Sequence, residues 1–180
     1  MKKYEVILTE SEMRKLNEVR RDIRAKRLVV DDGDMEDEDG FITVDRINKS
    51  NYKKYIGKKV NVKGSVFLNY LNLGKLPIIF GTVGGSFDCS DNDLTSLKGC
   101  PRTIGKNFYC SANDLTSLEG CPSEVNGNFD CSYNDLTSLE GCPSEVGRDF
   151  DCRNNKDDFR KAEIKRLCKV GGDILDTDIF

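Results

Sequence analysis

Asp114-Leu115-Thr116-Ser117-Leu118-Glu119-Gly120-Cys121-Pro122 returns 21 residues later as Asp135-Leu136-Thr137-Ser138-Leu139-Glu140-Gly141-Cys142-Pro143. The same interval governs much of the chain. Cys89, Cys110, Cys131 and Cys152 keep it, as do Cys100, Cys121 and Cys142. So do Phe87, Phe108, Phe129 and Phe150, and the amides Asn92, Asn113, Asn134 and Asn155. Leu94, Leu115 and Leu136, then Leu97, Leu118 and Leu139, then Val83, Ile104, Val125 and Val146 follow. A fixed interval of roughly 20–29 residues with apolar side chains at set places marks a solenoid whose turn is one strand and one return.

Within a turn, Phe and Cys alternate with polar residues, as a short strand with one buried face requires. Equivalent strands then pair in parallel, with the leucines filling the interior. The recurrent Asn sits among apolar series, so its amide is expected to bond backbone groups of neighbouring turns from inside the bend. Gly-Cys-Pro starts the return. The pattern extends backwards through Val66, Leu68, Leu73, Leu76 and Ile79, a degenerate first turn, and forwards to Val170-Gly171-Gly172-Asp173-Ile174. The last interval is longer, and the excess falls in a helical pattern over 157–169 with Phe159, Ala162, Ile164, Leu167 and Cys168 on one face. The reading predicts five turns and a sixth terminal strand, in which Asp176 takes the place of the strand cysteine.

Composition narrows the chemistry. The 180 residues carry a net charge of −3, eight cysteines and no histidine, so every site built on an imidazole is excluded. Cysteine at two stacked places per turn suits a crowded interior, because it is small and apolar. No C-x-x-C pair occurs, and the thiol spacings follow the repeat rather than a metal knuckle; no metal and no cofactor is expected. No apolar run is long enough to cross a bilayer and no secretory signal is legible, so the expected compartment is cytoplasmic, with reduced thiols and no membrane partner.

Residues 1–59 are expected to form an α/β cap over the open end of the solenoid, which then occupies 60–180. Residues 3–8 read as a strand. Thr9 and Glu12 form a capping box for a helix running to Arg27, whose buried stripe is Met13, Leu16, Val19 and Ile23. The rest of that helix is basic, but an acidic loop, 31–40, follows and largely cancels it. Asp37, Asp39, Gly40 and Ile42 match inner places of a calcium loop, yet Met35 and Arg46 fall where its terminal acids belong, so no calcium site is expected. Phe41 to Val44 reads as a strand and Ser50 to Ile56 as a short helix.

The unit F-x-C-x-x-N-x-L-T-S-L-x-G-C-P resembles half of a leucine-rich repeat, with Phe and Cys replacing two leucines. It is similar to short leucine-rich-repeat-like proteins carrying LTSLEGCP units, found in tailed bacteriophages and bacteria. The fold class expected is therefore an α/β solenoid: leucine-rich-repeat-like parallel strands with 21-residue turns, an α/β N-terminal cap, and a C-terminal helix plus strand. The resemblance implies a bacteriophage protein acting in the host cytoplasm, one that binds and inhibits or redirects a host defence protein.

In such repeats the polar strand residues form the surface used for partners. Here the outward places hold Phe67, Asn69 and Tyr70, then Asp88, Ser90 and Asp91, then Tyr109, Ser111 and Ala112, then Asp130, Ser132 and Tyr133, then Asp151, Arg153 and Asn154. The partner-binding residues expected among them are Phe67, Tyr70, Asp88, Asp91, Tyr109, Asp130, Tyr133, Asp151 and Arg153. Aromatic anchors beside aspartates suit a protein partner with a basic surface. The expected function is a non-enzymatic interaction module, because carboxylates and thiols are present without a positioned base. The alternative is a nucleic-acid-directed protein, either binding through the basic N-terminal helix or presenting ordered acids as a DNA mimic. The sequence leaves the oligomeric state open.

Overall fold

The computed structural model describes residues 37–176. The expected strand at 3–8, the helix reaching Arg27 and the acids Asp31, Asp32, Asp34 and Glu36 lie outside the described residues. Strands run in chain order as β1 (Phe41–Val44), β2 (Lys59–Val62), β3 (Val66–Phe67), β4 (Ile79–Val83), β5 (Phe87–Asp88), β6 (Thr103–Ile104) and β7 (Phe108–Tyr109). They continue as β8 (Glu124–Val125), β9 (Phe129–Asp130), β10 (Glu145–Val146), β11 (Phe150–Asp151), β12 (Lys169–Val170) and β13 (Ile174–Leu175).

Each turn contributes to two parallel sheets. One has seven strands in the order β1-β2-β4-β6-β8-β10-β12, the other six in the order β13-β11-β9-β7-β5-β3. Pairing is between residues one turn apart, Phe87 with Phe108 and Phe108 with Phe129, or Ile104 with Val125. The result is a β-solenoid of about six turns at the 21-residue interval. The expectation of one strand per turn is corrected by the Val83, Ile104, Val125 and Val146 series. Those residues form strands of the seven-stranded sheet, buried beside exposed Thr82, Thr103, Glu124 and Glu145. Two-residue strands are too short for alternation to separate them from an irregular bend.

The core is a set of columns. Phe87, Phe108 and Phe129 are fully buried and stack with centroids 5.7 and 5.8 Å apart and planes within 12° and 6°. Phe80 closes the column edge-on and Phe150 tilts at its other end. Each such side chain contributes about 1.5–3 kcal/mol by leaving water. Leu94, Leu97 and their equivalents fill the space beside them. All eight cysteines are free thiols; Cys89, Cys110, Cys131 and Cys152 are buried in column, while Cys121 and Cys142 are partly exposed.

Two polar ladders fix the register. The Asn ladder has the expected role: the amide of Asn113 donates to the carbonyls of Cys89, Cys110 and Ser111, and its Oδ1 accepts the Leu94 N–H. The other ladder was not anticipated. The residue preceding each strand of the six-stranded sheet accepts, on its side chain, the N–H of its equivalent one turn on. Asn128 N–H donates to Asn107 Oδ1 at 2.9 Å and Asp173 N–H to Asp149 Oδ1 at 2.9 Å. Gly127 and Gly172 stand beside those acceptors, where a Cβ would collide with them. Where Lys106 or Arg148 occupies the same place, the corresponding bonds lengthen to 3.4 Å.

Several expected boundaries shift. The parallel ladder begins at Phe41, because β1 pairs along its whole length with β2 and Ile47 bridges to Val66. The expected boundary at residue 60 therefore falls inside β2. The short helix at 50–56 is a 3-10 turn over Tyr52–Tyr55. In the first turn Ile79 faces solvent, while Ile78 and Phe80 are buried. The C-terminal helix, α1, is Lys161–Leu167 rather than 157–169, and it buries Ile164, with Phe159 and Cys168 flanking it. Ala162 and Leu167 are exposed, since seven helical residues present too narrow a face to bury all five apolar positions. Asp176 accepts the Lys161 N–H, tying the helix start to the terminal rung.

Candidate binding face

Outward side chains of the six-stranded sheet come from two positions per turn. The first follows the buried Phe and is held by strand pairing: Phe67, Asp88, Tyr109, Asp130 and Asp151 lie on consecutive rungs. The second lies three residues later, where the chain leaves the strand. There Tyr70, Asp91, Ala112, Tyr133 and Asn154 all adopt the left-handed conformation, with φ between 51° and 55°. Only glycine takes that conformation without steric cost, and Asn and Asp tolerate it better than tyrosine. From Asp91 onward the bend directs the chain inward so that the next residue, the ladder Asn, reaches its carbonyls; Tyr70, followed by Leu71, and Tyr133 are left 65% and 62% exposed. Four residue types share the five places of this column, so the sequence interval carried no clear sign of it.

The expected partner-binding residues differ in how freely they are presented. Phe67, Tyr70 and Tyr133 are the exposed large side chains. Tyr109 is half-buried, and its phenol is pushed above the usual tyrosine range by burial and then by the Asp130 and Asp88 charges. Asp88 and Asp130 are half-buried and tethered, each accepting both the N–H and the hydroxyl of Ser90 or Ser132. Those serines, expected to face outward, are buried by the tether. Asp151 takes the Arg153 guanidinium in two contacts, at 3.1 and 2.7 Å, which raises the arginine pKa. A hydrogen bond to Asp91 raises the Tyr70 phenol, and Lys49 sits 5.0 Å above its ring.

The face is thus a rigid, mixed aromatic and carboxylate surface. Tyr70 and Tyr133 stand three rungs apart, about 14 Å at the spacing of paired strands. Among the described residues no group of three or more acids and thiols is placed to hold a metal ion. Burial pushes the thiols of Cys110 and Cys131 well up, so they stay protonated and are poor nucleophiles at neutral pH. Compared with known protein families, with curated proteins and with solved structures, the chain matches none of them.

Proposed function

We propose that the protein is a non-enzymatic interaction module that docks a protein partner with a basic surface on the outer face of the six-stranded sheet. The observation that carries this reading is the presentation of Tyr70 and Tyr133 from strained backbone positions beside half-buried, tethered carboxylates. Aromatic side chains on a rigid frame lose little entropy on binding and make effective anchors. Charge supports the same partner: the face carries Asp88, Asp91, Asp130 and Asp151 against Arg153, within acidic middle turns where 108–149 hold eight Asp and Glu against Arg148 alone. The likeness to repeat proteins of bacteriophages points to a bacterial host protein as that partner, bound in order to inhibit or redirect it.

Capture from bacterial lysate tests the reading. Tyr70→Asn with Tyr133→Asn removes both rings while leaving residue types that accept the left-handed backbone, so stability should be kept. A stoichiometric partner should be retained by the native chain and by Thr116→Ala, which lies on another face, and lost by the double tyrosine variant. Equal capture by all three refutes the assignment of the face.

A further inference from the structure

Charge is sorted along the solenoid. Residues 41–65 carry seven Lys and Arg against one acid, Asp45, the reverse of the acidic middle turns. Four of those cations bracket an apolar tip in Lys53-Lys54-Tyr55-Ile56-Gly57-Lys58-Lys59. Ile56 is 56% exposed at that tip, and Ile79 of the adjoining turn is 48% exposed. The two are held together by backbone bonds from Gly57 N–H to the Pro77 carbonyl and from Ile79 N–H to the Lys58 carbonyl. Lys58 places its ammonium over the Tyr55 ring and Lys59 over Phe41, while Lys53 and Lys54 are exposed. The nearest described acids are Asp37, Glu38 and Asp39, of which Asp37 and Asp39 border the same groove as Lys59 and Ile79 and lie away from Lys53 and Lys54 in the chain. The Asp37 carboxylate accepts the Asp39 and Phe41 N–H groups and the Asn61 amide, and Lys59 reaches the Asp39 main-chain carbonyl.

We propose that this end of the solenoid is a docking surface for an anionic lipid bilayer. Ile56 and Ile79 enter the boundary between headgroups and acyl chains, and Lys53 and Lys54 meet lipid phosphates. Exposed aliphatic side chains beside the exposed ammonium groups of Lys53 and Lys54 match a surface that is negative outside and hydrocarbon within. A nucleic acid would engage the lysines but gain little from isoleucine, which has no ring to stack on a base. The face proposed for the protein partner belongs to the other sheet, so the two surfaces are tested independently.

The experiment is co-flotation of the full chain with vesicles of phosphatidylcholine alone and of phosphatidylcholine mixed with phosphatidylserine, at low and raised salt. Binding is expected to the mixed vesicles only and to fall with salt. Ile56→Ser with Ile79→Ser leaves net charge unchanged and should weaken binding at least about tenfold. Lys53→Gln with Lys54→Gln should weaken it and flatten the salt dependence. All four positions are exposed, and unchanged melting temperatures would show that the fold is intact. Absence of binding to mixed vesicles at low salt overturns the proposal, as does binding indifferent to the isoleucine changes. Oligonucleotide binding without vesicle binding would overturn it in favour of a nucleic acid.

Discussion

Asn113 offers the sharpest test of what holds the turns in register. It is 7% exposed and makes four hydrogen bonds, with its amide donating to Cys89, Cys110 and Ser111 and its Oδ1 accepting from Leu94. Truncation to alanine does not affect these partners equally. The Cys89 carbonyl still receives the Asn92 amide, the Cys110 carbonyl the Asn134 amide, and the Ser111 carbonyl the Asp91 N–H. The Leu94 N–H is stranded in the core. A buried orphan donor costs about 1–3 kcal/mol and each lost bond about 1 kcal/mol or less where another donor remains, so Asn113→Ala should cost about 3 kcal/mol. Asn113→Asp keeps the acceptor for Leu94 but turns oxygen toward three carbonyl oxygens. Its carboxyl is therefore pushed above the ordinary value of about 3.9 in the folded state. The neutral acid recovers one donor, so the variant's deficit should grow as pH rises from about 4 to about 7 and shrink on acidification. Urea unfolding followed by circular dichroism measures both. An alanine cost below about 1 kcal/mol, or an aspartate deficit independent of pH after subtraction of the native profile, would refute the reasoning.

Three other outcomes are expected. Gly127→Ala should cost about 1–2 kcal/mol, because its Cβ displaces the Asn107 oxygen and lengthens the 2.9 Å ladder bond toward the 3.4 Å seen beside Lys106 and Arg148; denaturant midpoints report it. Ala112→Asn should stabilise by about 0.5–1 kcal/mol, since asparagine tolerates φ 51° better than alanine, and a higher melting temperature is the readout. Burial pushes the thiols of Cys152 and Cys168 up to about 12. Unfolded thiols ionise near about 8.5. The stability their neutral forms contribute is thus fully present below that pH and lost as pH climbs toward the folded values. A melting series through the alkaline range should fall accordingly, and less steeply for Cys152→Ala.

Much of this architecture is legible in the residues because solenoid stacking repeats one environment. A column that buries Phe, Leu or Cys on every rung selects the same residue type at every turn, and the ladder Asn recurs because only an amide both donates and accepts there. The left-handed column was hidden for the converse reason: its constraint falls on backbone and its side chains are not in the core, so aromatic, acidic, small and amide residues all occupy it, at Tyr70, Asp91, Ala112, Tyr133 and Asn154. The second polar ladder was hidden because serine, asparagine and aspartate all serve as acceptors for the next N–H. Ser90 and Ser132 were misplaced because strand alternation ignores the Asp88 and Asp130 side chains that draw them in. Of the face, alternation showed the places of Phe67, Tyr70 and Tyr133, and the structure added that Tyr109, Asp88 and Asp130 are half-buried and Ser90 and Ser132 buried.

Deleting one rung is the most direct test of the stacked turns on which the docking surface depends. Removal of 108–128 takes out one full 21-residue interval and brings Phe87 against Phe129, a neighbour like the one it loses. Removal of 108–127 is one residue shorter and throws every later column out of phase. The in-phase chain should remain folded and melt cooperatively, with Tyr70 and Tyr133 one rung closer, whereas the out-of-phase chain should lose its cooperative transition. Equal stability of the two deletions, or collapse of the in-phase one alone, would contradict the account.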